Sequence, residues 1–323
     1  MVIDSHRHFW HYTDAEFGWI ADDCLRRDFL PTDCGAMDPC VAVEARQCVE
    51  ETNWLLDLAD KHDFIKGVVG WLPITAPNFP EILEGFVSHA ELRNRPLRVG
   101  ATHGEATKPS EASAERGGER RDFSGRLRRG GLGDSPRYKP LSDLSLSAPP
   151  REINKLVGLR HVVQDEPDDG FILRPDFVRG VRTLLAKGLA YDILVFERHL
   201  PNVLKFVDAL PADARLVLDH FGKPRDFAPW KRLVGELAQR ENVYCKLSGL
   251  VTEVGKIDFT PYLATVLEAF GPARLMFGSD WPVVTAHMEY AEWRGVVDSF
   301  AARLSQGEHD ALMGGNARRF YKL

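Results

Sequence analysis

Two histidines two positions apart, His6 and His8, stand near the start of the sequence in DSHRHF. On an extended strand such residues project to the same face, so both imidazoles meet at one place. A paired imidazole suits a divalent ion or a carbonyl that needs polarising. Alone the H-x-H pair says little, because two histidines at a strand end often serve only as hydrogen-bonded structure. Polar residues recur, however, at the ends of other apolar runs. Arg160 and His161 end LVGLRH, Asp219, His220 and Lys223 follow RLVL, Lys246 lies in NVYCKL, and Ser279 and Asp280 follow RLMFG. A purely apolar core does not require this pattern. Asp280, held among imidazoles and cations, is a candidate general base for water, and its structural alternative is a helix cap or a partner for Lys246. The planar fork of Arg160 suits a carboxylate or a pair of hydroxyls, with a salt bridge to Asp165 or Glu166 as the alternative. Trp10, Trp71 and Trp281 offer faces to a ring or fill a core.

The elements that must bring these residues together are short apolar runs of the kind that form buried parallel strands. They occur at 2–9, 41–47, 65–74, 156–164, 190–196, 215–223, 242–251 and 274–282, most of them separated by amphipathic stretches such as VEETNWLLDLADKHD and PDFVRGVRTLLAKG. Eight strands alternating with helices predict an α/β fold, a (β/α)8 TIM barrel. In such a barrel the strand C-termini converge on one site, where the polar residues above are found. One connection departs from the pattern. Between Pro31 and Val41 there is little room for the crossover helix that should join strands one and two.

Residues 88–151 differ in kind from the rest. They carry 13 Lys/Arg against 8 Asp/Glu, in a chain with net charge -6, and are rich in Gly, Ser, Pro and Arg with no helical or strand period. The segment reads as a disordered basic insertion between strands three and four of a single barrel spanning 1–323. A tolerated surface insertion or a gene-model error is favoured over a basic arm for an acidic partner. Outside it the chain is acidic, which argues against nucleic acid as a partner. No apolar run is long enough to span a membrane, and no signal core is evident. Five cysteines, an odd number without a C-x-x-C pair, fit reduced thiols and a cytoplasmic location.

The motifs DSHRHFW, GLRHVVQDEPD, LDHFGKP, YCKLSG and MFGSDWP, with GGNARRFYKL at the end, resemble the amidohydrolase superfamily. The resemblance is to its family 2 branch and the sugar-acid lactonase group, which includes L-rhamnono- and L-fuconolactonases and 2-pyrone-4,6-dicarboxylate lactonase. It implies a hydrolase that opens a small aldonolactone by water attack, with His6, His8, His220 and Asp280 catalytic. Arg160, His161, Lys223 and Trp281 are then expected to bind substrate. The same four catalytic residues would hold one zinc ion, or the site works without metal. Strand five carries no histidine and strand four no bridging lysine, so a two-metal centre is not expected, and His199 lies just beyond strand five. A metal-dependent decarboxylase of the same superfamily and an inactive scaffold are the competing readings. Oligomeric state is left open.

Overall fold

The computed structural model describes residues 1–35, 37–87 and 155–323. The expected insertion at 88–151 lies outside the described residues. Eight parallel strands run in the order β1 to β8: Asp4–Arg7, Cys40–Val43, Ile65–Gly70, Leu156–Val162, Ala190–Leu194, Leu216–Leu218, Val243–Leu247 and Leu275–Phe277. Seven of the eight expected runs contain a whole strand, trimmed where the polar residues leave the ladder, and β2 begins at Cys40, one residue before its run. The seam between β8 and β1 is nearly closed. His8 N–H donates to Trp281 O at 2.7 Å and Asp280 N–H to His6 O at 2.9 Å, beside an Arg7–Trp281 bridge.

Helices α1 (Val49–Lys61), α2 (Phe79–Val87), α3 (Pro175–Ala186), α4 (Leu200–Asp208), α5 (Phe227–Ala238), α6 (Leu250–Val254), α7 (Thr260–Phe270) and α8 (Tyr290–Ala301) connect or follow the strands, with α9 (Gln306–Asp310) and α10 (Asn316–Tyr321) at the end. Among the described residues of the β1–β2 connection the helical pieces are two short 3-10 turns, Asp23–Leu25 and Pro31–Cys34. The first crossover thus lacks the α-helix of the regular unit, as the short spacing implied. Its place is taken by an aromatic cluster in which Trp10 lies 5.6 Å from Phe17 and 5.3 Å from Phe29, ring centre to ring centre. No helix among the described residues is long and apolar enough to cross a membrane.

The barrel interior has two layers, set by the period-two alternation of the strands. The lower layer is apolar: Val41, Val69, Ala190, Val217 and Met276 pack together, with Phe320 and Tyr321 of α10 against them. Two residues further along their strands, Ala190 gives way to Asp192 and Val217 to Asp219. Glu44, Arg160 and Lys246 join these carboxylates in a buried upper layer.

Candidate active site

The upper layer is charged, so each group in it must be paired. Arg160 Nε donates to Glu44 Oε1 at 2.8 Å and its Nη1 to Asp219 Oδ2 at 3.2 Å. Lys246 Nζ lies 2.5 Å from Asp192 Oδ2, 3.0 Å from Asp219 Oδ1 and 3.1 Å from His6 Nδ1. The Tyr321 hydroxyl, from the far end of the chain, reaches Asp192 at 2.8 Å. Burial works against ionisation of Asp219, but Lys246 and His6 beside it hold its carboxyl well below the usual range. These pairings correct two expectations. The salt bridge of Arg160 goes to Glu44 and Asp219, not to Asp165 or Glu166, because the guanidinium points into the barrel. Lys246 pairs with Asp192 and Asp219 and is therefore not the partner of Asp280.

Above this layer His6, His8, His220 and Asp280 converge. His6 Nε2 is 3.1 Å from His8 Nε2 and 3.7 Å from Asp280 Oδ1, and His8 Nε2 is 3.3 Å from the same oxygen. His220 Nε2 lies 3.9 Å from it, with the other ring nitrogen 3.0 Å from Ser248 Oγ. His220 and Asp280 both have left-handed backbone, φ 52 and 61. For non-glycine residues this conformation carries a cost that a packed structure must offset, and it turns both side chains off their strand directions. Gly249 makes room for His220: a Cβ there would sit 2.4 Å from His220 Nδ1.

Burial pushes the His220 imidazole down to about 4, so it is neutral at neutral pH. Burial likewise places His6 well below its ordinary value. For Asp280, burial opposes ionisation, but the surrounding imidazoles, His220 foremost with His8 and His6, outweigh it and keep the carboxyl far below its ordinary value. The centre thus sets an ionised carboxylate beside the neutral imidazoles of His220 and His6.

His6, His8 and Asp280 form one group able to hold a metal ion, and His6, Asp219 and His220 another. Zinc–ligand bonds of about 2.05 Å in a tetrahedron place ligand atoms about 3.4 Å apart. The separations of 3.1, 3.3 and 3.7 Å within the first group fit that figure. His8 is also in the right tautomer, since its Nδ1 donates to Val43 O at 2.9 Å and leaves Nε2 with a lone pair. The donor set therefore fits a single zinc ion.

The other sequence candidates fall at varied distances from this centre. Lys223 follows His220 and pairs with Glu253 at 3.3 Å. His161 packs against Phe177 of α3, accepts from Trp71 Nε1 at 3.1 Å, and lies 2.6 Å from Glu166 Oε1, so both ring nitrogens are engaged. His199 is buried, between the Phe196 N–H and Asp169. Trp10, Trp71 and Trp281 are all buried, while Trp19 is 48% exposed and stands edge-on to Trp10, 5.9 Å away. Glu44, Asp192, Trp19 and Tyr321 are not among the sequence candidates. For Glu44 and Asp192 a signal existed, a charged residue inside or ending an apolar strand.

The model of the amidohydrolase family matches residues 151–323. An L-fucono-1,5-lactonase of Burkholderia multivorans is 36% identical over 99% of this chain and 96% of its own length. Crystal structures of an amidohydrolase from Burkholderia multivorans, 35% identical, superpose over 100% of this chain and 99% of theirs. The TM-score is 0.75 for the form with bound HEPES and 0.72 for the form with bound zinc. Likeness over the full length, together with strand-end motifs that meet in one centre, shows that the chain belongs to the amidohydrolase family.

Proposed function

We propose that this protein is a lactonase that opens a sugar-acid lactone, of the L-fucono-1,5-lactone type, by water attack on the ester carbonyl. The observation that carries this reading is Asp280, an ionised buried carboxylate 3.3 Å from His8 and 3.7 Å from His6, in a chain 36% identical to an L-fucono-1,5-lactonase. The Asp280 carboxylate takes the proton as a water oxygen bonds to the carbonyl carbon. Negative charge then builds on the carbonyl oxygen, and polar N–H groups of the centre, His220 and Lys223 foremost, meet it. Collapse of the adduct breaks the ring C–O bond, and the proton held by Asp280 passes to the leaving alkoxide. Arg160 acts from below: its guanidinium is spent on Glu44 and Asp219, and it orients His6, 3.2 Å from Nη1, without reaching substrate. Trp281, packed on Phe29 at 5.4 Å, supports the Asp280 turn in the same indirect way.

A relative's structure holds zinc, and here His6, His8 and Asp280, with His220 beside them, are the residues that would hold it. When bound, zinc supplies Lewis-acid polarisation and acidifies a water molecule. The five cysteines, all free thiols, support a cytoplasmic setting. The test is acid release from a panel of five- and six-membered aldonolactones by purified protein. Turnover well above spontaneous hydrolysis on at least one sugar lactone is expected. Folded protein inactive on every lactone would overturn the reading and return the decarboxylase to first place.

A further inference from the structure

The chain ends in GGNARRFYKL, and this stretch does more than close the barrel. Closure is plain enough. Asn316 Nδ2 donates to Leu275 O at the start of β8 at 2.7 Å and to Pro272 O at 2.8 Å, and Arg215 Nη1 donates to Phe320 O at 2.7 Å, which pins α10 across the strand N-termini. Phe320 and Tyr321 then pack against the apolar lower layer. For packing alone two phenylalanines would suffice, since a hydroxyl taken into that layer costs free energy unless it is bonded. The Tyr321 hydroxyl is carried through the layer to Asp192, 2.8 Å from Oδ2 and 2.9 Å from Oδ1. Burial, with Asp192 and Asp219 nearby, pushes the phenol well above its ordinary range, so it keeps its proton and donates.

Asp192 is fully buried, and among the described residues its carboxylate meets this hydroxyl and the Lys246 ammonium. A donor almost equidistant from both oxygens fixes the rotation of the carboxylate. Tyr321 holds Lys246 a second time, because Nζ stands over its ring, 5.6 Å from the centre. From that place Nζ reaches Asp219 Oδ1 at 3.0 Å and the His6 ring at 3.1 Å. A path of direct contacts thus runs from the end of the chain to the reaction centre: hydroxyl to carboxylate, carboxylate to ammonium, ammonium to imidazole. Neither Tyr321 nor Asp192, 2% and 0% exposed, can touch substrate.

We propose that Tyr321 is a positioning residue for the reaction centre: its hydroxyl sets the Asp192 carboxylate, and through it the Lys246 ammonium beneath His6. The last helix then completes the active site as well as plugging the barrel. The inference deepens the lactonase reading and rests on it.

Tyr321→Phe keeps the ring and removes the hydroxyl. On a lactone that the wild type hydrolyses, kcat should fall about tenfold while KM holds, because no group that touches substrate is lost. Phe320→Leu disturbs the same plug away from Asp192 and should lower the melting temperature at wild-type kcat. A folded Tyr321→Phe protein with wild-type kcat, or an equal fall in kcat in Phe320→Leu, would overturn the inference. Asp192→Asn tests the route. Adding Tyr321→Phe to it should cost less than about twofold further in kcat, since the hydroxyl acts through that carboxylate. A further loss of about tenfold would overturn the inference. If Tyr321→Phe alone fails to fold, wild-type kcat in the folded double variant overturns it as well. Crystal structures of wild type and Tyr321→Phe need no substrate. Asp192 turned and Lys246 Nζ out of hydrogen-bond reach of His6 are expected in the variant, and side chains that superpose on wild type would overturn the inference. A wild type inactive on every lactone fails the lactonase reading instead, and the pair of crystal structures then decides the positioning role.

Discussion

The lower and upper layers of the barrel interior occupy the same strands, two residues apart, and are built on opposite principles. Val217 in the lower layer needs only shape, and its neighbours are aliphatic. Asp219, the next inward residue of the same run, needs Arg160, Lys246 and His6 around it. An apolar side chain at position 219 would fill space without the desolvation that a buried carboxylate demands. The charged layer is therefore a cost borne on one side of the barrel, where strand ends meet, and absent from the other.

The largest stability effect is expected where that cost is exposed. Arg160→Met leaves Glu44 and Asp219 buried without their shared cation and should lower unfolding free energy by about 3–5 kcal/mol. Urea unfolding checks this, and an unchanged midpoint would mean that the upper layer is not an electrostatic unit. In the lower layer Met276→Ala should cost about 2–5 kcal/mol through the cavity it leaves. Turnover per folded molecule should stay at the wild-type value, and a large fall in kcat at full folding would erase the division between the layers.

A smaller effect is expected at the edge of the charged layer. Glu51 of α1 accepts from the Arg46 N–H, and burial, with Glu44 nearby, pushes its carboxyl up to about 8 from 4.5. Between those two values the folded protein holds a proton that the unfolded chain has released, so stability falls as pH rises through that window. Glu51→Gln should flatten the decline in melting temperature between pH 6 and 9. An identical slope in both proteins would remove Glu51 as its source.

Much of this was legible in the sequence because the strands of a parallel barrel are short apolar runs and their polar ends stand out. His6, His8, His220 and Asp280 were found that way, and the missing first crossover helix followed from the spacing before Val41. Pairing was not legible. Whether Arg160 meets Glu166, six residues away, or Glu44, 116 residues away, depends on which face of β4 it takes, and one residue of register decides that. The turn geometry of His220 and Asp280 was equally hidden, since left-handed backbone at non-glycine residues has no sequence mark. Glu44 and Asp192 carry a sequence signal of the same kind as the strand-end histidines, a charge inside an apolar run.

The most direct test of the account compares Asp280→Asn with wild type on a lactone that the wild type hydrolyses. The substitution keeps the side-chain shape and removes the base, so kcat should fall by about 10²–10⁴-fold while the melting temperature and substrate binding hold. A folded Asp280→Asn protein with undiminished turnover would contradict the account and place the chemistry elsewhere.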